Sequence, residues 1–540
     1  MSKVWFRKLN DLFVQLLYIQ GAKPKLGWAE NVRKMFSKSE RRLAIVLSVF
    51  SCILLIAYCF FHFILQQTPG RMHKPSVPLM QEFPLWAFIT SLPLPIPNDS
   101  NLVAVCVIAF VLVVFVFYGL AVLLTWNRRA TPLILGTVVS AAILFFLVSV
   151  LSLPNVSGNI YNYILRGRIA AVHNSNPYYV AADKFPEDSL YPYASHRNTK
   201  RAGGKLPAWM IINVTLAKIA GDNVITNLLI YRLAFFLFTV ANLALIAAIL
   251  RRLNPRFLLV GVVLYSWNPI VVINGLNKVD TVMVFYLLLG IFLLLANRRR
   301  LAVATLFLSV FTKLVTLPLV TLYWLREIVM KRWRELLISS FILALTAVVI
   351  YALFWNAPDI ILTHMSLLSA GGTSGSGLIK SLFRLIFVLL ILWVAFTQDG
   401  SMERMLRGWV ILMLYFSLFI NEIASADYLM TLVAVVCLSL DWRIALLTIL
   451  ISFSSSMFQR YYQMASDTFD LPDLFQLPRY FVYLAVPGFT LLGIALVVVW
   501  RRIKQRVYRK QYDLPSQKQA YPRTHTWFGA NNDLEYKPRN

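Results

Sequence analysis

Repeated apolar runs, each long enough to cross a bilayer, are the feature that most constrains the fold of this chain. A helix needs about 20 apolar residues to span a hydrocarbon core of about 30 Å. Only 14% of the 540 residues are charged, whereas about 25% is usual in soluble proteins. Because lipid cannot satisfy backbone hydrogen bonds, such runs must form helices. The sequence therefore predicts an all-α, polytopic transmembrane bundle.

The apolar runs predict spans near 43–65, 102–125, 132–153, 223–250, 257–275, 279–296, 335–355, 381–397, 408–421, 427–440, 443–458 and 477–500. Residues 301–325 are harder to place, because Lys313 and Pro318 interrupt them and the basic cluster 326–334 follows. A helical hairpin with its tip near Lys313 keeps this cluster on the same side as the other basic turns. With that hairpin, we expect about 14 membrane segments.

The distribution of basic residues predicts the orientation. Lys and Arg are in excess in residues 1–42 and in the tail 501–540, so the positive-inside rule places both termini in the cytoplasm. The domain plan is then a basic segment 1–42, a membrane domain 43–500 and a basic tail 501–540. This topology places the loop 154–222, which is the largest polar loop, on the outer face of the plasma membrane. We expect the functional site on that face.

Several classes of function are disfavoured. The net charge of +28 resides largely at span ends, where basic residues meet lipid headgroups, and no nucleic-acid-binding motif accompanies it. The four cysteines fall inside apolar runs, which predicts neither a disulfide framework nor a thiolate metal site. No cluster of oxygen or imidazole ligands suggests a metal, and no cofactor is expected. The absence of an inverted repeat argues against a transporter.

The large loop begins with a predicted helix of roughly four turns, in which polar residues share one face. These residues are Asn159, Asn162, Tyr163, Arg166 and His173. We expect the helix to lie along the membrane interface. Its arginines suit a phosphate, since guanidinium offers a planar fork of donors. An interfacial anchor whose arginines meet lipid headgroups is the commoner use of such a helix.

A predicted turn, Asn176-Pro-Tyr178, follows this helix, since Asn-Pro disfavours helical backbone. Asp183, Glu187 and Asp188 lie beyond the turn, and any of them could serve as a general base. A solvated loop carboxylate is the commoner role for such a residue. The loop thus offers cations for an anion and a carboxylate for a proton.

The loop motifs resemble those of a known family. Asn159-x-Tyr-x-Tyr163, Gly167-Arg168 and Asn176-Pro-Tyr178 are similar to the first outer loop of GT-C membrane glycosyltransferases. The closest resemblance is to the bacterial polyprenyl-phosphate-mannose-dependent mannosyltransferase branch.

Later motifs extend this resemblance, which runs in order from about Ser157 to Leu440. Trp267-Asn268-Pro269 and Asn277-Lys-Val-Asp280 are similar to the family's Trp-Asn-Pro segment and His-Asn-Asp turn. The hairpin with Lys313 resembles the family's Lys-containing hairpin.

The resemblance implies transfer of a mannose-like sugar from a polyprenyl-phosphate donor to an envelope glycan or glycolipid on the outer face. It implies as partners the lipid-linked donor, membrane lipids and the acceptor, and it identifies no protein partner. The residues expected to bind the donor phosphate are Arg166, Arg168, Lys205, Lys278 and Lys313. Those expected to contact substrate are Tyr163, His173, Asn176, Tyr178 and Asn268.

The chain also departs from the family pattern. The family places an Asp, thought to be the general base, where Asn159 stands, and an amide cannot take a proton at neutral pH. Asp183, Asp280 and Asp427 are the substitutes to consider, and the sequence does not choose among them. The family's Pro-Trp-Tyr segment appears here as Ala426-Asp-Tyr428. The alternative is therefore a catalytically degenerate GT-C-fold protein that acts as a lipid-binding or scaffold subunit of a membrane complex.

Overall fold

The structure is a computed structural model that describes residues 38–67, 100–152, 159–194, 199–200, 202–203, 206–352, 377–420, 426–439 and 441–468. Helices account for 84% of these residues, and no strand is found among them, so the all-α class is confirmed there. The expected span 477–500, the basic tail 501–540 and residues 1–37 of the expected N-terminal segment lie outside the described residues.

The helices are, in chain order, α1 (Lys38–Gln67), α2 (Ser100–Thr125), α3 (Pro132–Leu151), α4 (Asn159–Ala171), α5 (Pro207–Ala220), α6 (Val224–Leu253), α7 (Leu258–Ser266), α8 (Pro269–Asn274), α9 (Asp280–Leu295), α10 (Arg299–Thr312), α11 (Leu317–Val329), α12 (Trp333–Ala352), α13 (Gly377–Phe396), α14 (Met402–Tyr415), α15 (Ala426–Leu438) and α16 (Trp442–Thr468). A π-helical turn, Phe416–Ile420, follows α14, and a 3-10 turn, Leu314–Thr316, joins α10 to α11.

Five helices in the described part of the chain are long and apolar enough to cross a membrane. They are Ser39–His62 in α1, Ile108–Thr125 in α2, and the whole of α3, α6 and α12. Each coincides with an expected span. The other apolar helical stretches, such as Ser381–Phe396 in α13 and Trp442–Met457 in α16, are shorter in the part of the chain that the structure describes, and the expected number of about 14 segments is not confirmed.

One reason for the shorter helices is visible between α7 and α8, where the expected span 257–275 is broken. Asn268 has extended backbone, and its side chain accepts a hydrogen bond from the Ile270 amide at the start of α8. Pro269 is the first residue of α8, a position that suits proline because the missing amide would have no helical partner there. A Pro inside a helix removes a backbone bond, so one apolar run becomes two helices.

These two short helices occupy the interior of the bundle. Every residue of α7 and α8 is buried. Helix α7 packs against α2, α3, α6 and α15, and α8 also contacts α15. Trp267, between the two helices, donates from Nε1 to the Val138 carbonyl of α3 at 3.1 Å. The turn that leaves α8 therefore delivers the start of α9 into the protein interior.

The expected interruption at Lys313 is present. Helix α10 ends at Thr312, Lys313 is extended with φ −160° and ψ 133°, and α11 begins at Leu317. Pro318 lies in the first turn of α11, where a proline costs little. Helix α10 packs along α9, so the break places Lys313 beside the start of α9.

Helix α4 forms as predicted, but its polar face is not turned outward; its position along the membrane interface stays a prediction. Among residues 160–171, only Arg166, Ala170 and Ala171 are partly exposed, and the rest are buried. The helix packs against α5 and α6. Gly167 allows this close approach, because a Cβ there would lie 2.7 Å from the Tyr231 hydroxyl and 2.8 Å from the Asn213 carbonyl. Neighbouring helices thus bury the polar stripe that the sequence suggested would face lipid headgroups.

Candidate functional site

The first residue of α9, Asp280, forms a buried ion pair with Lys313. The Lys313 Nζ donates to the two carboxylate oxygens at 2.8 and 2.9 Å. The Asp280 side chain is 1% exposed and that of Lys313 19% exposed. The break between α10 and α11 produces this contact, since it turns Lys313 towards α9 instead of towards lipid. A lysine in an apolar hairpin is costly without a partner, and Asp280 is that partner.

A third element meets this pair. The ammonium group of Lys313 lies 4.4 Å from the ring centroid of Tyr428, within the range of a cation–π contact. Tyr428 lies in the first turn of α15, directly after Asp427. The structure thus brings Asp280, Lys313 and the start of α15 together. The side chain of Asp427 lies outside what the structure describes, so its part at the site stays a prediction.

The turn before α9 is also buried. Lys278 is 2% exposed and Asn277 is 5% exposed. The side-chain nitrogen of Asn277 donates to the Ile273 carbonyl at 3.2 Å, and the side-chain oxygen of Asn277 accepts from Arg232 at 3.2 Å. Polar groups of α6, of α8 and of the turn before α9 therefore meet inside the bundle.

Arg232 was not among the residues that the sequence analysis selected. It is 1% exposed, and its second bond goes to the Val150 carbonyl at 2.8 Å. A signal was present, because Arg232 is a charged residue well inside the apolar run 223–250. An ionisable residue within a span is a functional candidate by default.

Arg168, which was expected to bind the donor phosphate, is instead bound by the protein. Its Nε donates to both Asp188 oxygens at 3.1 and 3.0 Å, and its terminal nitrogens donate to the Gly221 carbonyl at 2.6 Å and to Asp222 at 3.0 Å. The side chain is 3% exposed. The expectation of an exposed arginine free for phosphate is therefore wrong, because the loop folds its carboxylates back onto α4.

His173 belongs to the same cluster of polar side chains around Asp188. Its Nε2 is 2.8 Å from Asp188 Oδ2, and its ring stacks on Phe185 with centroids 4.1 Å apart. The residue lies beyond the end of α4 and not on the same helical face as Arg166. His173 therefore helps to stabilise the loop, and its expected contact with substrate stays a prediction.

Arg166 has a different environment. No hydrogen bond or ion pair to its guanidinium is found in the described part of the chain, although the group is largely buried. Burial lowers the pKa of Arg166, and the nearby Tyr163 and Tyr178 oppose that shift. Burial likewise raises the pKa of Tyr178, whose neighbours include Tyr351. Arg166 thus keeps its donors available beside aromatic side chains.

A row of aromatic residues leads from Arg166 towards the ion pair. Tyr178 packs with Tyr351 of α12 in a small apolar cluster. Tyr351 is 6.0 Å, centroid to centroid, from Phe311, which lies two residues before Lys313 in α10. These aromatic side chains thus connect the surroundings of Arg166 to the end of α10, two residues before Lys313.

The other expected site residues have separate roles or positions. Asn176 accepts a hydrogen bond from the Tyr178 amide at 3.0 Å, which closes the predicted Asn-Pro-Tyr turn. Asn268 is fully buried, caps α8 and donates to the Tyr118 hydroxyl at 3.1 Å. Its expected contact with substrate stays a prediction. Asp183 is exposed, and no contact joins it to Arg166 or to Asp280 in the described region. Lys205 and the side chain of Asn159 lie outside the described residues.

No group of three or more potential ligands for a metal occurs among the residues that the structure describes. The expectation that the site needs no metal stays a prediction. The groups present are a buried ion pair, several tyrosine hydroxyls and an arginine whose donors have no hydrogen-bond partner among the residues that the structure describes. This combination suits the binding of an anion and the transfer of a proton.

A family of known proteins is similar to the segment of the chain that contains most of this site. Residues 75–326 match the family model of the alpha-(1->6)-mannopyranosyltransferase N-terminal domain. The matched segment includes Arg166, Arg232, Asp280 and Lys313, whereas Tyr428 lies beyond it. The resemblance to mannosyltransferases is confirmed over this segment. No curated protein and no solved structure matched the chain.

Proposed function

From this similarity to alpha-(1->6)-mannopyranosyltransferases, we propose that the protein is a membrane glycosyltransferase. It takes a mannose-like sugar from a polyprenyl-phosphate donor and transfers it to an envelope glycan or glycolipid on the outer face of the plasma membrane. The single observation that carries this proposal is the buried pair of Asp280 and Lys313 at a helix break within the matched segment. Such a pair is costly in a membrane protein and is retained where it has a function.

The donor phosphate needs cations, and the site offers them. As the bond between the sugar and the phosphate breaks, negative charge grows on the leaving phosphate, and preorganised donors stabilise it. Arg166 is the first candidate, because its guanidinium has no competing hydrogen bond among the described residues. A planar guanidinium can hold two phosphate oxygens at once. Lys278 and Lys313 supply further positive charge near the start of α9.

The transfer also needs a base. The acceptor hydroxyl oxygen forms a bond to the anomeric carbon, the bond from that carbon to the phosphate oxygen breaks, and the hydroxyl proton passes to a carboxylate. We assign this role to Asp280, since it alone of the three carboxylate candidates has a described contact with a site cation. Lys313 holds both Asp280 oxygens in the resting state, so donor phosphate must draw Lys313 away before Asp280 can accept a proton. Asp427 remains the second candidate, since it begins the helix that meets Lys313.

A second candidate function follows from two residues. The family base position holds the amide Asn159, and both oxygens of Asp280 are occupied by Lys313. A protein in which the pair only stabilises the bundle would be a catalytically degenerate, lipid-binding or scaffold subunit of a membrane complex. This function predicts no sugar transfer by the native chain.

The deciding experiment compares envelope glycans and glycolipids in a strain that lacks the gene. The strain is complemented with the native gene, with Asp280→Asn or with Glu403→Gln. Glu403 is an exposed carboxylate that pairs with Arg407 and has no described contact with Asp280 or Lys313, so its amide variant is a matched control. The expected result is that the deletion strain lacks a sugar. If the native gene and Glu403→Gln restore this sugar and Asp280→Asn does not, the result supports the transferase function and the role of Asp280. An unchanged profile in every strain supports the scaffold.

A further variant tests whether catalysis was lost. Asn159→Asp returns the carboxylate that the family carries at this position. If the native protein shows no transfer and Asn159→Asp gains it, the chain is a degenerate member of the fold. If the native protein transfers sugar and Asn159→Asp changes little, the base lies elsewhere, as the assignment to Asp280 requires.

A further inference from the structure

Arg232 joins three parts of the bundle from inside the membrane-spanning helix α6. One terminal nitrogen donates to the Val150 carbonyl at the end of α3, at 2.8 Å. The other donates to the side-chain oxygen of Asn277 at 3.2 Å. The guanidinium is 1% exposed, so water does not compete for these bonds.

Asn277 lies in the turn between α8 and α9 and links Arg232 to that turn. Its side-chain nitrogen donates to the Ile273 carbonyl at 3.2 Å, and its backbone amide donates to the Asn274 carbonyl at 3.1 Å. The side chain therefore connects Arg232 to the end of α8. Three residues later the chain reaches Asp280, the first residue of α9. Any movement of Asn277 must shift the carboxylate that meets Lys313.

A second residue of α6 holds the same stretch. Asn242 donates from its side chain to the Thr281 carbonyl at 3.0 Å, and the Thr281 hydroxyl donates back to the Gly275 carbonyl. Arg232 and Asn242 thus fix the turn before and after Asp280. Their separation of ten positions corresponds to about 15 Å along the helix, so α6 acts as a rigid support.

Stability alone gives a poor account of an arginine at this position. A charged side chain inside a span is costly, and its Nε has no hydrogen-bond partner in the described part of the chain. A well-packed apolar side chain is often neutral or more stable than a buried charge. The bonds that Arg232 does make tie the turn that presents Asp280, through Asn277, to the end of α3, through the Val150 carbonyl. A role in holding that turn accounts for the buried charge.

We propose that Arg232 is a positioning residue, which holds the turn 275–279 through Asn277 so that Asp280 meets Lys313. This inference rests on the proposed transferase function. Arg232 does not touch the reacting atoms. It acts by fixing the carboxylate, and a displacement of about 1 Å is enough to cost about a hundredfold in rate.

The test uses the purified full-length protein, four single variants and one double variant. Arg232→Met removes both bonds with an apolar side chain of similar length, and Arg232→Lys retains a donor. Asn277→Ala removes the acceptor. The control is Asn227→Leu, in the same helix. This substitution replaces a buried amide side chain whose nitrogen donates to the carbonyls of Gly221 and Asn223 at 2.8 and 2.9 Å.

Two readouts separate positioning from loss of structure. The first is transfer kinetics, in which Arg232→Met and Asn277→Ala lower kcat by about ten- to a hundredfold with the donor KM within about twofold. Arg232→Lys recovers part of the loss, and the double variant of Arg232→Met and Asn277→Ala is no slower than the slower single variant. The second is the rate at which an amine reagent labels Lys313, followed by mass spectrometry. Arg232→Met and Asn277→Ala raise this rate several-fold.

The control decides what these changes mean. Asn227→Leu leaves kcat and Lys313 labelling at the native values, even if it lowers the melting temperature. Equal effects in Asn227→Leu, or native kcat and labelling in Arg232→Met, overturn the inference. If the native chain transfers no sugar, the proposed function fails, and the labelling rates alone then decide whether Arg232 holds the pair. If Arg232→Met does not fold, Arg232→Lys and Asn277→Ala carry the same comparison.

Discussion

The Lys313 ammonium group lies 2.8 and 2.9 Å from the two carboxylate oxygens of Asp280, 33 residues earlier in the chain. This pair ties the break between α10 and α11 to the start of α9. Both side chains are largely buried, so the attraction between them is weakly screened. In the proposed reaction, the same lysine first neutralises the carboxylate and then moves to the donor phosphate.

The pair makes a prediction about stability. Lys313→Met leaves Asp280 buried without its cation, so we expect the free energy of unfolding to fall by about 3–5 kcal/mol. The double variant Lys313→Met with Asp280→Leu removes both charges and should regain most of that loss. Unfolding followed in detergent micelles measures the difference between the single and double variants.

The exposed pair of Arg407 and Glu403 provides the control for this measurement. Its atoms are 3.8 Å apart and both side chains are more than 60% exposed. Arg407→Met should change stability by no more than about 0.5 kcal/mol. A double variant at the buried pair that is as unstable as the single one would contradict the ion-pair account.

Arg168 is predicted to be a stabilising residue and not a ligand of the donor. Arg168→Met removes the cation from Asp188, whose side chain is fully buried, so we expect a loss of about 3–5 kcal/mol. Thermal unfolding in detergent measures it. A stable Arg168→Met protein with weakened donor binding would show instead that the guanidinium serves the ligand.

Arg166 is predicted to show the opposite behaviour. Arg166→Met removes no described hydrogen bond, so the melting temperature should change little. Binding of a short-chain polyprenyl phosphate should weaken by about ten- to a hundredfold, which is the usual loss of a hydrogen bond to a charged group. Calorimetry with that lipid phosphate gives the affinity, and a matching polyprenol without phosphate shows whether the anion is what Arg166 recognises. Unchanged affinity for the phosphate would remove Arg166 from the site.

Gly167 is predicted to be required for the packing of α4. In Gly167→Ala, the new Cβ would lie 2.7 Å from the Tyr231 hydroxyl and 2.8 Å from the Asn213 carbonyl, so the helices must separate. We expect a loss of about 1–3 kcal/mol. Gly136→Ala in α3 is the control, since nothing lies within 4 Å of its Cβ, and it should be neutral or slightly stabilising. Equal melting temperatures for the two variants would contradict the close approach.

Part of the site could be predicted from the sequence because its signals are local. An extended lysine between two apolar helices, a carboxylate at the start of α9 and a turn at Asn176-Pro-Tyr178 each depend on neighbours in the chain. The burial of α4 could not be predicted in this way. The hydrophobic pattern of α4 is compatible with lipid on one side of the helix. Only the packing of α5 and α6 shows that protein covers its polar side chains.

The sequence by itself determined the helical membrane class, the break at Lys313 and the presence of Asp280, since apolar length and proline act locally on the backbone. Only the tertiary structure decided which cation is bound by other residues of the described part of the chain. Arg168 and Arg166 are two residues apart, yet Asp188, Gly221 and Asp222 bind the first and no described group bonds the second. A charged side chain takes the partner that folding brings within about 4 Å, and distant segments supply that partner.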